Sequence, residues 1–325
     1  MRSAAAEGAR LLPKALRPGD LIGLIAPSGS TKDAEAAAKG KAALEKLGFR
    51  VKLGASALAP RYGYLAASDE LRAADLNAFF ADPEVDGIVC LKGGYGTPRI
   101  LDRLDYAAIA ANPKLLIGYS DITGLHLAFY RYVGYPTVHG PMAMSMASGW
   151  NGYSRDSWLR AATADQPLGE LKNPEGGAAE ALVGGKARGR LIGGNLSLVA
   201  SLCGTPYALE PEGAIVFLED VGEEPYRVDR MLNQLRLAGV FERCAAVALG
   251  GWTDCGPEDP ERSLTLREVF MDQIAPCGKP VLAGLAAGHC APTMSLPFGV
   301  AAELDADAGR LVILEAACRS PGPRP

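Results

Sequence analysis

Histidine is scarce in this sequence: its 325 residues include only three, His126, His139 and His289. A metal centre built from several imidazole ligands is therefore not expected. The seven cysteines are an odd number, and no two of them have the C-x-x-C spacing of zinc and redox motifs. This usage predicts reduced, structural thiols in a cytoplasmic protein instead of a disulfide framework or a zinc site.

Long apolar runs and basic blocks are absent as well. No stretch reaches the roughly 18 consecutive apolar residues of a membrane span. Glu7 and Arg10 interrupt the amino-terminal segment, so no signal peptide is predicted. With a net charge of −4 at pH 7, binding to nucleic acid or to a membrane surface is not expected. These absences favour a cytoplasmic globular protein, long enough for two domains.

Short apolar runs alternate with helical patterns through the first half of the chain. The predicted strands are residues 21–26, 50–53, 87–91 and 115–117, and the predicted helices are residues 34–47, 68–80, 98–104 and 121–132. Repeated βα units predict a parallel sheet with helices on both faces. Ligands of such sheets bind in the loops after the carboxyl ends of the strands. Those loops carry Ser28, the Gly93–Gly96 turn and Ser120.

From about residue 148 the pattern changes. Residues 148–185 hold glycine, asparagine, proline and scattered charges, which is typical of an interdomain connection. Beyond them we predict short strands at 187–191, 214–218, 245–249, 280–283, 301–305 and 310–314, with helices near 196–203 and 228–238. The predicted fold is α/β, with an N-terminal parallel-sheet α/β sandwich domain (1–147), a connection (148–185) and a C-terminal β-rich domain (186–325).

Gly118-Tyr119-Ser120 forms a G-x-S turn between a predicted strand and a predicted helix. It is close to the G-x-S-x-G nucleophile elbow, although Ile122 replaces the second glycine. Such a turn exposes a serine hydroxyl above the sheet, and the N–H groups of the new helix face a developing oxyanion. A serine before a helix is also a common N-cap, so this tripeptide alone leaves both roles open.

The Gly93–Gly96 turn also follows a strand and precedes a helix. It can cradle a phosphate or supply an N–H group to an oxyanion hole. Because it lacks both G-x-G-x-x-G and the P-loop pattern, nucleotide binding is poorly supported. A tight βα turn without a ligand remains the simpler alternative.

A serine nucleophile needs a base and an acid that orients the base. His126 lies on the same predicted helix as Ser120 and points away from the elbow, so we interpret it as structural. His139 lies at a strand end near the interdomain junction, where a hydrogen-bonded structural histidine is favoured over a cleft residue. His289 on a loop is a plausible base. Glu219 follows an apolar strand and is the acid candidate, although an acidic run on a loop is usually solvated.

From Leu16 to Leu314 the chain resembles the LD-carboxypeptidases, serine peptidases that also include the microcin C self-immunity hydrolases. The motifs that carry the resemblance are residues 16–20, 26–29, 64–66, 76–77, 93–96 with Arg99, 118–123, 139–141, 193–196, 217–220 with Tyr226 and 229–230, 288–289 and 296–299. The resemblance implies an N-terminal α/β domain, a C-terminal swivelling β/α domain and a homodimer. It implies no metal or organic cofactor.

The resemblance assigns a Ser-Glu-His triad in that chain order. It makes Ser120 the nucleophile, Glu219 the orienting acid and His289 the base, so that the triad closes across the two domains. It also implies that the oxyanion hole consists of backbone N–H groups of Asp121 and of the Gly93–Gly94 turn.

The implied substrate is a murein tetrapeptide, which loses its terminal D-Ala by hydrolysis of an L,D peptide bond during cell-wall recycling. Its carboxylate calls for a cation, and the candidates are Lys92, Arg99, Arg227 and Arg230. For each of them a surface or interdomain ion pair is the alternative. Lys92 stands where the family usually has arginine. If this residue bound the carboxylate directly, lysine could not make the bidentate hydrogen bonds that arginine makes.

Two other functions remain open. An immunity-type hydrolase acting on peptidyl-nucleotide antibiotics would need an aromatic platform for the nucleobase, for which Trp150 and Trp158 are candidates. A non-catalytic binder of small ligands on a degenerate hydrolase fold is the third reading, although the chain retains all three triad residue types.

Overall fold

The computed structural model describes residues 12–322, so the amino-terminal segment with Glu7 and Arg10 lies outside it. The strands are β1 Leu21–Ile25, β2 Arg50–Leu53, β3 Gly87–Cys90, β4 Leu115–Gly118, β5 Thr137–His139, β6 Gly169–Leu171, β7 Glu180–Val183, β8 Lys186–Asn195, β9 Ile215–Val221, β10 Ala246–Thr253, β11 Val281–Ala283, β12 Leu296–Phe298, β13 Ala301–Asp305 and β14 Arg310–Ile313. The α-helices are α1 Ala36–Glu45, α2 Ala55–Leu58, α3 Asp69–Ala81, α4 Tyr106–Ala111, α5 Thr123–Tyr132, α6 Ala143–Ala147, α7 Gly152–Thr163, α8 Leu196–Ser201, α9 Pro225–Leu237, α10 Val240–Arg243 and α11 Leu266–Gln273.

The first sheet has the order β12-β5-β4-β3-β1-β2, and its strands are parallel except for β12. Every residue of β3 and β4 is buried, which explains why these strands are continuous apolar runs without alternation. Helix α3 begins as predicted, because the Ser68 hydroxyl caps the N–H of Leu71 and two acids follow in the first turn. Since the strands are parallel, the loops after β1, β3 and β4 meet at one edge of the sheet.

The second sheet has the order β6-β14-β13-β8-β9-β10-β11-β7. Its centre, from β8 to β11, is parallel, and antiparallel strands complete both sides. The predicted α/β class with a β-rich second domain is confirmed. The acid candidate Glu219 lies inside β9, near its carboxyl end, and not on the loop after the strand as predicted. The carboxyl end of β11 leads into the segment that holds His289.

The structure corrects the predicted organisation in two places. Residues 148–185 are not an irregular connection: they form α7 and the strands β6 and β7, which pair at the two edges of the second sheet. Edge strands of three and four residues are too short to give a clear pattern in the sequence. In addition, β12 lies within the predicted C-terminal domain but pairs with β5 of the first sheet.

Smaller corrections concern three helices. The predicted helix at 98–104 is a pair of 3₁₀ turns, Thr97–Arg99 and Leu101–Arg103. Another 3₁₀ turn, Ser120–Ile122, precedes α5. Helix α11 was not predicted, although Thr265 and Glu268 form a capping box at its start. Within residues 12–322 no helix is long and apolar enough to cross a bilayer, and all seven cysteines are free thiols.

His126 is a fully buried imidazole inside the first domain. Its Nε2 lies 2.9 Å from the Gly118 carbonyl oxygen, and its Nδ1 lies 2.8 Å from Thr137 Oγ1. Because a carbonyl can only accept, Nε2 carries the proton and Nδ1 accepts from the threonine hydroxyl. The interpretation of His126 as structural agrees with these bonds. Its predicted direction was wrong, because the ring does not point away from the G-x-S turn but bonds to the Gly118 carbonyl of that turn.

Acid is expected to destabilise the fold through this residue. Burial lowers the pKa of His126 from 6.5 to about 4. Between these two values the unfolded chain binds a proton that the folded chain does not, so the free energy of unfolding falls as the pH falls through this window. Urea unfolding at about pH 7.5 and about pH 5 measures the loss. We expect this loss of unfolding free energy to be about 2 kcal/mol smaller in His126→Gln than in the wild type. An equal loss in both proteins would contradict the role of His126.

Candidate active site

Ser120 occupies a strained turn between β4 and α5. Its φ is +65°, and within the described residues Asp254 is the other non-glycine residue with positive φ. Such a conformation costs on the order of 1–3 kcal/mol and is concentrated at functional sites. A Cβ on Gly118 would approach Ile122 Cγ1 to 2.9 Å, so the G-x-S turn needs glycine there. The geometry is that of a nucleophile elbow.

Glu219 and His289 form a hydrogen-bonded pair. Nδ1 of His289 lies 2.7 Å from Oε2 of Glu219, and the backbone N–H of His289 donates to the same oxygen over 2.9 Å. A Cβ on Gly288, whose φ is +97°, would come within 2.5 Å of Glu219 Cγ. The carboxylate is fully buried. With the proton on Nδ1 donated to the carboxylate, Nε2 of a neutral His289 is left as an acceptor.

Contacts between the two sheets bring this pair towards Ser120. The N–H of Asn195, at the end of β8, donates to Thr123 Oγ1 at the start of α5 over 2.9 Å. Asn195 is also the register partner of Glu219. The ring of Tyr119 packs on the ring of His289 with centroids 4.8 Å apart. The residue before the serine is therefore in contact with the histidine.

The glycine turn lies against the serine. A Cβ on Gly93 would stand 3.0 Å from Ser120 Oγ, and Gly94 has a φ of +118° that favours glycine. Within residues 12–322 the N–H groups of Gly93 and Gly94 donate no hydrogen bond to protein. The N–H of Asp121 lies in the first turn after Ser120, where helical N–H groups have no intrahelical acceptor. These groups can stabilise an oxyanion formed beside the hydroxyl.

His139 is buried against aromatic rings. The prediction that it is hydrogen-bonded was wrong. Neither ring nitrogen has a partner in the described part of the chain. Its ring contacts Tyr119, Phe217 and Phe298 at centroid distances of 5.9, 5.3 and 5.1 Å. Burial, and then the nearby His126 and His289, lower the pKa of His139 well below its usual value. It is a neutral packing residue beneath the site.

The four basic candidates have different partners. Arg99 forks onto Asp69 through Nε and Nη2 at 2.8–3.1 Å, as an ion pair. Lys92 donates to the Ser30 carbonyl at 2.9 Å. Arg227 and Arg230 lie near the start of α9 with their guanidinium groups over the ring of Tyr226. The ion-pair alternative thus describes Arg99 and also Arg227, which lies 3.8 Å from Glu223. Arg230 is exposed and has no ion-pair partner among the described residues.

Two other sequence-based candidates are placed differently. Trp158 is fully buried, and its Nε1 donates to the Pro141 carbonyl at 3.1 Å, so it cannot be a nucleobase platform. Trp150 packs on it with centroids 6.1 Å apart and is partly buried. Tyr119 was not singled out in the sequence, although its position inside the G-x-S motif was a signal. Among the described residues no cluster of side chains could hold a metal ion.

The chain is similar to proteins of a known family. A model of the LD-carboxypeptidase N-terminal domain matches residues 22–140, and one of the C-terminal domain matches residues 188–304. The probable murein peptide carboxypeptidase of Bacillus subtilis is 41% identical over 307 residues, covering 94% of each chain. The murein tetrapeptide carboxypeptidase of Pseudomonas aeruginosa is 36% identical over 250 residues, covering 75% of this chain and 80% of the relative.

Among solved structures, the microcin C7 self-immunity protein MccF in complex with aspartyl sulfamoyl adenosine superposes with a TM-score of 0.87. It is 26% identical, and the match covers 95% of this chain and 99% of that one. With both domain models matched and relatives this similar over nearly the whole length, the chain belongs to the LD-carboxypeptidase family.

Proposed function

We propose that this protein is a serine L,D-carboxypeptidase that removes the terminal D-Ala of murein tetrapeptides. The observation that carries the proposal is the Glu219–His289 pair, held at 2.7 Å. The histidine packs on Tyr119, the residue before the serine of the G-x-S turn. The names of the Bacillus subtilis and Pseudomonas aeruginosa relatives support the substrate class. We further propose a cytoplasmic homodimer, and light scattering during gel filtration tests the dimer.

In the proposed reaction Ser120 attacks the carbonyl carbon of the L-configured diamino acid. Nε2 of His289 takes the hydroxyl proton and then gives it to the departing D-Ala amine, which leaves an acyl-enzyme. Water hydrolyses the acyl-enzyme with the same base. Glu219 orients the imidazole and stabilises its cation. The N–H groups of Gly93, Gly94 and Asp121 hold the oxyanion, where one lost donor typically costs about 10²–10³ in rate.

The test is to incubate purified protein with a murein tetrapeptide and measure free D-Ala. Release of D-Ala without cleavage of aspartyl sulfamoyl adenosine supports the proposal. Cleavage of that compound alone would identify an immunity-type hydrolase, and turnover of neither would favour a non-catalytic binder. Chelators are expected to leave the rate unchanged, and EDTA inhibition that zinc reverses would contradict the serine mechanism.

Arg230 is the basic candidate that we expect to bind the terminal carboxylate of the substrate. Within residues 12–322 its guanidinium makes no ion pair or hydrogen bond and only stacks on Tyr226, and α9 begins four residues after β9, the strand of Glu219. A charge-assisted hydrogen bond contributes roughly 1.5–3 kcal/mol, so Arg230→Gln should raise KM about 10- to 100-fold with kcat little changed.

Arg99→Gln is the matched control, because Arg99 is already paired with Asp69. Its KM is expected to stay within about 3-fold of the wild type. A large rise in KM for Arg99→Gln, with none for Arg230→Gln, would move the carboxylate site to the first domain.

A further inference from the structure

Two buried charged residues, Arg72 and Asp121, lie beneath the loops that follow β1 and β3. Arg72 is fully buried on α3, and Asp121 is fully buried directly after Ser120. Burying a charge is costly unless hydrogen bonds compensate for the lost water. The hydrogen-bond partners of these two groups therefore indicate the role of the buried charges.

One oxygen of the Asp121 carboxylate collects donors from both loops, whereas Oδ1 is buried without a hydrogen-bond partner in the described residues. Its Oδ2 accepts from the Ser28 hydroxyl at 2.5 Å and from the Thr97 N–H at 2.8 Å. The Thr97 hydroxyl in turn donates to the Asp121 carbonyl. Gly124 of α5 leaves the space for this contact, since a Cβ there would come within 2.7 Å of Thr97 Oγ1. The nucleophile turn is thus bonded to the end of the glycine turn.

The Arg72 guanidinium binds the acceptors of the same two loops. Its Nη1 donates to the Pro27 carbonyl at 2.5 Å and to the Gly96 carbonyl at 2.9 Å. Its Nη2 donates to Asp69, the carboxylate that Arg99 also binds. Arg72 therefore holds residues 27 and 96, and Asp121 holds residues 28 and 97. Each loop is fixed at adjacent positions by a cation and an anion.

The fixed loops also contact each other at the glycine turn. The N–H of Gly29 donates to the Gly93 carbonyl at 3.3 Å. A Cβ on Gly94 would lie 3.1 Å from Gly29 Cα. Gly93 and Gly94 thus lie against Gly29, which follows the bound residue Ser28, and Gly93 also lies against Ser120.

We propose that Arg72 and Asp121, with Ser28 and Thr97, are positioning residues that fix the Gly93–Gly94 N–H groups at the distance from Ser120 that the oxyanion requires. This inference rests on the proposed serine mechanism and deepens it. The alternative is that the same bonds stabilise the domain without affecting the reaction. If the bonds are only structural, weakening one of them lowers the stability of the domain alone. If they position the glycine turn, weakening one of them also reduces the stabilisation of the transition state.

Ser28→Ala and Thr97→Val test the proposal by removing one hydroxyl each while keeping the charges. Both are expected to lower kcat about 10- to 100-fold, the cost of a misplacement on the order of 1 Å, with KM within about 2-fold. A peptide boronic acid forms a tetrahedral adduct on a serine, so its affinity should fall by the same factor as kcat. Asp121→Asn retains one accepting oxygen and is expected to lose less activity than Asp121→Ala.

Asp75→Asn is the matched control. Asp75 is a buried carboxylate of the same domain that accepts from the N–H groups of Ala55 and Ser56 at 3.1 and 2.6 Å, and it does not touch the glycine turn. Its variant should lose stability with kcat within about 2-fold of wild type.

The proposal is overturned if Ser28→Ala and Thr97→Val lower the melting temperature like Asp75→Asn but keep the wild-type kcat and boronate affinity. It is also overturned if the loss appears in KM alone. Neither result affects the proposed function, which fails separately if the wild type does not release D-Ala.

Discussion

Replacement of Ser120 by alanine is expected to lower kcat for D-Ala release by about 10⁴- to 10⁶-fold, because removing the nucleophile of a serine triad leaves only binding and the oxyanion hole. Serine already adopts the φ of +65° with a Cβ, and alanine has the same Cβ, so the turn and the fold should be retained. Substrate binding should be retained as well. Steady-state D-Ala release and isothermal titration with the tetrapeptide measure these two quantities.

Ser145→Ala is the control for this experiment. Ser145 lies close to the site, since its hydroxyl is 3.3 Å from the Tyr119 hydroxyl, but it has no proposed role in the reaction. Its kcat should stay within about 3-fold of the wild type. The serine mechanism would be falsified if Ser120→Ala retained a tenth or more of the wild-type rate.

The second large effect is expected at Glu219. Glutamine has nearly the same shape, but its amide lacks the charge that stabilises the imidazolium, and its NH₂ group favours the wrong tautomer of His289. We expect kcat to fall about 10⁴-fold with KM nearly unchanged, since the comparable aspartate-to-asparagine change in a serine protease triad has that size. Stopped assays over hours can follow so slow a rate.

Asp220→Asn is the neighbouring control. Asp220 is also buried, and its carboxylate accepts from Asn195 Nδ2 at 2.7 Å and from the Ser197 N–H at 2.9 Å. It touches α8 and not the imidazole, so the loss in kcat should stay below about 10-fold. A larger loss of kcat in Asp220→Asn than in Glu219→Gln would show that Asp220, and not Glu219, orients the imidazole.

Local patterns carried most of the fold prediction. β2 and β13 have the predicted bounds, and the serine cap of α3 depends on neighbouring residues alone. The incorrect predictions concern strand pairings between residues that are distant in the sequence. The pairing of β12 with β5 joins residues about 160 positions apart, and no periodicity in either segment indicates it.

The same division applies to the site. The G-x-S turn and the glycine turn are local, so their backbone conformations could be predicted from the sequence. The burial of His139 without a hydrogen bond could not, because it follows from rings supplied by β9 and β12. The side-chain role of Asp121 was missed for a similar reason: its partners Ser28 and Thr97 lie on two other loops.

The most direct test of the account is labelling with a fluorophosphonate, which reacts with an activated serine hydroxyl. One label per chain is expected, located on Ser120 by peptide mass spectrometry, with a loss of D-Ala release in proportion to the label. His289→Ala should label far more slowly. Full D-Ala release by protein labelled at Ser120, or inactivation by a label elsewhere, would contradict Ser120 as the nucleophile.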